Sequence, residues 1–146
     1  MGPGLAARSA GLAWAVALAA CGAPRDPVEA LLDSLAKAAE ARDAGRIAAR
    51  MAEGFQGQAG MTRAEALATL QRYFAAYESV DVTVYDVQAE GQQRVRFRVD
   101  FSGRPKAIGG LAGLLPSSAV YRFDLELSPE GGGLVVSRAS WEPWTR

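Results

Sequence analysis

Residues 94–101 read Arg94-Val95-Arg96-Phe97-Arg98-Val99-Asp100-Phe101, an unbroken alternation of charged and apolar side chains. Successive side chains of an extended chain point to opposite faces. The period of two therefore puts Val95, Phe97, Val99 and Phe101 on one side and Arg94, Arg96, Arg98 and Asp100 on the other. A strand with one apolar and one charged face belongs to an antiparallel sheet that meets a core on one side and water on the other.

The same period extends outward in both directions. Upstream, Val80, Val82 and Val84 alternate with Asp81, Thr83 and Tyr85, and Val87 and Ala89 resume on the opposite parity. That change of phase predicts a bulge near Asp86, and Glu90-Gly91-Gln92 turns the chain into the next strand. Downstream, Tyr121, Phe123, Leu125 and Leu127 face inward against Arg122, Asp124 and Glu126. After the turn Pro129-Glu130-Gly131-Gly132-Gly133, a fourth strand runs from Leu134 to about Trp144. Its facing is ambiguous, because Leu134, Val135 and Val136 are all apolar.

Before Ser79 the period is helical. Asp26 caps and Pro27 opens a first helix that carries Val28, Leu31, Leu32 and Leu35 on one face. Asp43-Ala44-Gly45 restarts the chain, and Ile47, Ala48 and Met51 mark a short second helix ending near Gly54, with Phe55 packed where it stops. Thr62-Arg63-Ala64-Glu65 is a capping box. It opens a third helix whose Ala66, Leu67, Leu70, Tyr73, Phe74 and Tyr77 share one side. Helices followed by antiparallel strands define an α+β domain over residues 26–146, with three N-terminal helices packed on a curved, mainly antiparallel four-stranded sheet.

The chain has 146 residues, with sixteen basic and sixteen acidic side chains, one cysteine and no histidine. That length suits one domain core. The charge balance gives no reason to expect nucleic acid as a partner. Without histidine, the commonest zinc ligand and the usual proton carrier near neutral pH are missing. No metal site and no cofactor motif is read from the sequence.

The lone cysteine sits at the end of a leader. One basic side chain, Arg8, precedes the apolar stretch from Ala10 to Ala20. This is the layout of a signal peptide over residues 1–20, and it falls short of the roughly 20 apolar residues a spanning helix needs. Leu18-Ala19-Ala20-Cys21 resembles the lipobox of bacterial lipoproteins. The resemblance implies cleavage before Cys21, lipidation of its thiol and permanent anchoring to a membrane. Residues 21–25 would then form the lipidated cysteine and a tether of at most about 14 Å from Gly22 to Arg25. Gly22 stands where an aspartate marks some inner-membrane lipoproteins, so the resemblance further implies the outer membrane, facing the periplasm.

The order of elements, with Ala41-Arg42-Asp43-Ala44-Gly45-Arg46-Ile47, then Thr62-Arg63-Ala64-Glu65-Ala66, the alternating strands and the closing Trp141, resembles the cone-shaped nuclear-transport-factor-2-like superfamily. That superfamily includes ketosteroid isomerases, polyketide cyclases and non-catalytic proteins. Its small hairpin between the second and third helices is reduced here to Phe55 to Met61. Its enzymes use acid, tyrosine or histidine side chains inside the cone. Here Asp100, Asp124 and Glu126 fall in phase with the outward arginines, which leaves Asp86 at the bulge as the one acid open to redirection inward. No catalytic residue is assigned.

The candidate binding residues are Tyr73, Tyr77, Tyr121, Trp141 and Trp144, with Ile108, Leu111, Leu114 and Leu115 from the connection Gly103 to Ser117. That connection is long and apolar. It reads as a lid on an apolar pocket, a contact to protein or bilayer, or a short helix closing the core. Arg94, Arg96 and Arg98, with Arg104 and Lys106 beyond, form a basic row suited to cross-strand pairing with acids or to anionic envelope components. The leading functional expectation is an envelope lipoprotein that binds a partner protein or an apolar small molecule without chemistry, as a monomer or dimer. An isomerase- or cyclase-like enzyme with a pocket acid and a structural component of an envelope complex are the alternatives.

Overall fold

The computed structural model describes residues 26–106 and 115–145. The leader, Cys21 and the tether, together with Ile108, Leu111 and Leu114, lie outside the described residues. Helix α1 spans Pro27–Glu40, with Asp26 Oδ1 accepting from the Val28 amide at 2.9 Å. A Schellman turn ends it. The Asp43 amide donates to Ala38 O and the Arg42 amide to Ala39 O, both at 2.9 Å. Arg42 takes the left-handed position of that turn (φ 53°) usually given to glycine.

Helix α2 is a single short piece, Ala44–Ala48. The helix expected to run on to Gly54 stops there, and Met51–Gln56 forms strand β1 instead. A turn at Gln58–Gly60 leads to α3, Arg63–Ala75, whose Thr62/Glu65 capping box is complete in both directions. Four long strands follow: β2 (Tyr77–Glu90), β3 (Arg94–Pro105), β4 (Ser118–Glu130) and β5 (Gly133–Pro143).

The sheet thus has five strands rather than four, in the order β1-β5-β4-β3-β2. Strand β1 is the addition, and it runs parallel to β5 while every other pair is antiparallel. Two features let a weak strand form there. The Arg50 carbonyl accepts from the Val136 amide at 2.8 Å, and Phe55 buries its ring in the core. Past the end of β1, the Gln58 side chain takes over as partner of the β5 edge, accepting from the Trp141 amide at 2.7 Å.

The bulge falls where the change of phase placed it. The β2–β3 register slips between Tyr85 and Gln88, and Asp86 has a positive φ of 52°. In the β4–β5 pair a slip between Glu126 and Leu127 lets Ser137 bulge out of β5. Leu134, Val135 and Val136 are all buried, so alternation gave no parity for the start of β5.

Two apolar cores sit on the concave face. In the first, Val28, Leu31 and Leu32 of α1 pack on Val95, Phe97, Leu125, Leu127, Val136 and Ala139 of the sheet. Each such aliphatic side chain removed from water contributes about 1.5–3 kcal/mol. The second core gathers Ala44, Phe74, Tyr77, Val80 and Phe101 beneath α2 and α3.

Candidate functional site

Register fixes which side chains share the concave face. Val84 pairs with Val99, Val99 with Tyr121, and Tyr121 with Pro143. The neighbouring row is Phe97, Phe123 and Trp141, and the row beyond is Val82, Phe101 and Ala119. Where α1 covers this face the side chains are buried, and so they are beneath α2 and α3. In the seam between the two cores Val82, Val84, Val99, Tyr121, Phe123 and Trp141 are only half-buried, and Tyr121 belongs to neither core.

Aromatic rings dominate the seam. Phe97 and Phe123 stand parallel with centroids 5.4 Å apart, and Phe123 stacks on Trp141 at 6.1 Å. Tyr121 meets Phe123 edge to face. From the other side α3 contributes Tyr73, whose ring lies 5.6 Å from Phe101 and 5.1 Å from Tyr77. Burial, and after it the Tyr77 hydroxyl, raises the Tyr73 phenol well above its ordinary range. It stays a neutral phenol at any physiological pH.

Tyr77 has a different role from the one its helical phase suggested. Helix α3 ends at Ala75, so Tyr77 opens β2, where it is fully buried. Its hydroxyl donates to Pro116 O at 2.7 Å, and its carbonyl accepts from Arg42 Nη1 at 2.6 Å. Leu115 packs against the same core. Tyr77 thereby holds one end of the Gly103 to Ser117 connection, whose ends meet through the Gly103 amide and Ser117 O.

Trp144 is not at the seam. The Trp144 amide donates to Val120 O, and the indole lies on the outer face between the guanidinium groups of Arg98 (4.3 Å) and Arg122 (4.2 Å). Arg98 and Arg122 are directly opposed in the β3–β4 register, and the ring between them converts a like-charge repulsion into two cation–π contacts.

The sheet carboxylates that pair with arginines lie out here too. Asp124 pairs with Arg94, at 2.8 Å to Nε, and with Arg96 at 3.3 Å. The hydrogen bond from Arg94 comes first among the causes that hold the Asp124 carboxyl below its ordinary range. Asp86, open to redirection inward in the sequence, instead pairs outward with Arg98 at 3.3 Å. The basic row is therefore engaged in cross-strand pairing at Arg94, Arg96 and Arg98. Among the described residues no charged side chain is buried, and no group of three acids or cysteines gathers to hold a metal.

Two open clefts of about 670 and 610 Å³ lie elsewhere, along the outer side of α3. One is lined by Met61, Glu65, Thr69 and Arg72, and the other by Arg42, Asp43, Gln71 and Phe74. Neither includes a seam residue.

A five-stranded curved sheet packed on three helices is the nuclear-transport-factor-2-like fold. The particular likenesses are to solved structures. A candidate scytalone dehydratase from Novosphingobium aromaticivorans superposes with a TM-score of 0.68 at 12% identity, over 82% of this chain and 83% of that one. A candidate dehydratase of the same fold family from Streptomyces avermitilis gives 0.64 at 12% identity, over 82% and 96%. A protein with a ketosteroid-isomerase-like fold from Catenulispora acidiphila, in complex with trimethylamine, gives 0.54 at 18% identity, over 77% and 83%. At such identities the likeness is one of fold. No protein-family model and no curated protein matches the sequence.

Proposed function

We propose that this chain is a lipid-anchored envelope protein whose cone takes up a neutral, apolar small molecule in the seam and does no chemistry on it. One observation carries the binding half: the seam is lined by half-buried aromatic and aliphatic side chains, while Asp86 and Asp124 pair with arginines on the far side of the sheet. A pocket of this kind favours ligands that surrender apolar surface, with a few polar groups to orient them. The phenols of Tyr73 and Tyr121 are the polar groups on offer.

The named dehydratases among the structural neighbours favour a second reading, an enzyme. Such chemistry needs a base close to the bound molecule. A phenol whose pKa is raised by burial is a poor one, and Asp86 is turned away. Non-catalytic binding is the reading we prefer.

The anchoring half rests on Leu18-Ala19-Ala20-Cys21. Among the described residues no helix is long and apolar enough to cross a membrane. A Cys21→Ala variant should move from the membrane fraction to the soluble fraction, and its persistence in the membrane would contradict lipid anchoring. For the binding half, the native mass of the protein should exceed its denatured mass after equilibration with an apolar aromatic such as naphthalene. Equal masses across a wide excess of naphthalene would exclude it.

A further inference from the structure

The sheet ends on strand β2, which is hydrogen-bonded to β3 on one side only. Among the described residues no backbone group pairs with the other side of residues 79–85. Over this stretch the register with β3 is unbroken, from Ser79 opposite Arg104 to Tyr85 opposite Arg98. Every second residue therefore turns both its N–H and its C=O away from the sheet, without a partner. Val80, Val82, Thr83, Val84 and Tyr85 favour an extended chain. An exposed edge is commonly guarded by a lysine, a proline or a bulge. None of these falls within the stretch, and the bulge comes just after it, at Asp86.

The two faces of this edge differ. Val80, Val82 and Val84 point to the concave side, where Val82 and Val84 remain half-buried. Asp81 is exposed on the outer face and has no ion pair among the described residues. Strand β2 as a whole carries the acids Glu78, Asp81, Asp86 and Glu90 and no base. Its one partner is the complement, since β3 alternates Arg94, Arg96 and Arg98 with Val95, Phe97 and Val99. A second copy of the chain does not fit the open side. Antiparallel pairing of β2 with β2 would set acids against acids, and the other edge of the sheet, β1, brings Glu53 and no base. Like charges across a ladder are destabilising.

We infer that residues 79–85 are a docking edge for an extended segment of another protein in which basic and apolar side chains alternate. The segment adds a sixth strand to the sheet. Main-chain hydrogen bonds hold it, its apolar side chains complete the burial of Val82 and Val84, and its basic side chains meet Asp81, with Glu78 beside the stretch. This surface is separate from a ligand in the seam and stands without it.

The test uses a fluorescein-labelled peptide with the sequence of residues 94–101, the strand that β2 already accepts on its inner side, and a counterpart with glutamate in place of each arginine. Followed by anisotropy against the full chain, the arginine peptide is expected to bind about tenfold tighter or more, a preference that shrinks as salt screens the charges. Asp81→Lys, at an exposed position, should narrow the preference by about threefold or more. Amide hydrogen exchange locates the contact. The arginine peptide should slow alternate amides between Ser79 and Tyr85, the ones that β3 leaves free, and leave those of β1 unchanged. Equal affinity for the two peptides, a preference untouched by Asp81→Lys, protection confined to other residues, or no binding would overturn the inference. So would the same protection appearing when the chain alone is concentrated, because the occupant would then be a second copy.

Discussion

Gly103 shows how little room a single position can have. A Cβ there would lie 2.8 Å from Tyr77 Cδ1, 2.9 Å from Phe101 Cζ and 3.1 Å from the Ser79 carbonyl oxygen. Two of these neighbours are rings fixed in the second core and the third is backbone, so none can yield cheaply. Gly103→Ala is expected to cost about 1–3 kcal/mol by overpacking, measured as a drop in the urea midpoint. At Asp124 the consequence is a pH dependence. Its carboxyl titrates below the ordinary value in the folded chain, chiefly through the Arg94 hydrogen bond. A depressed pKa contributes stability that is complete above the unfolded value, about 3.9, and is lost as the pH falls through the folded one. The stability gap between the unmodified chain and Asp124→Asn should be largest near about pH 6 and shrink below about pH 4. A gap independent of pH would contradict the pairing.

At the scale of elements, the strands with strict alternation were legible and those without it were not. Residues 94–101 fix β3 by pattern alone, and the parity change after Val84 places a bulge that the structure puts at Asp86. Strand β1 left no such trace. In Met51-Ala52-Glu53-Gly54-Phe55-Gln56 only Phe55 is buried, and Met51 falls at helical spacing from Ile47 and Ala48. What makes this segment a strand is the open edge of β5, a long-range partner that local periodicity does not report. Tyr77 misled in a related way, since its spacing from Tyr73 continues a helix that has already ended at Ala75. The end of β5 matters for stability. Trp144→Ala removes both guanidinium contacts and leaves Arg98 opposite Arg122, and it is expected to cost about 1–2 kcal/mol in chemical denaturation. Because this ring is on the outer face, the same variant should bind apolar probes unchanged. Weakened binding would return Trp144 to the site.

For the whole molecule, the sheet and its two cores leave one apolar seam on the concave face and a paired charge lattice on the other. Tyr73 and Tyr121 could be picked out in the sequence because their phase puts them on the apolar side, and Trp141 stood out only as a large aromatic residue near the end of its strand. The division of that side into two cores with half-buried side chains between them could not, since it depends on where α1 and α3 cross the sheet. The central claim is that the seam is where a ligand sits. It is tested most directly by a methyl-resolved NMR titration of the chain with naphthalene. The valines sample both faces: Val82, Val84 and Val99 line the seam, whereas Val120 is on the outer face and Val87 is exposed at the bulge. Saturable shifts at Val82, Val84 and Val99, with Val87 and Val120 unmoved, are the expected result. Shifts confined to the outer face, or to Met61 and Ala68 in the cleft along α3, would contradict it.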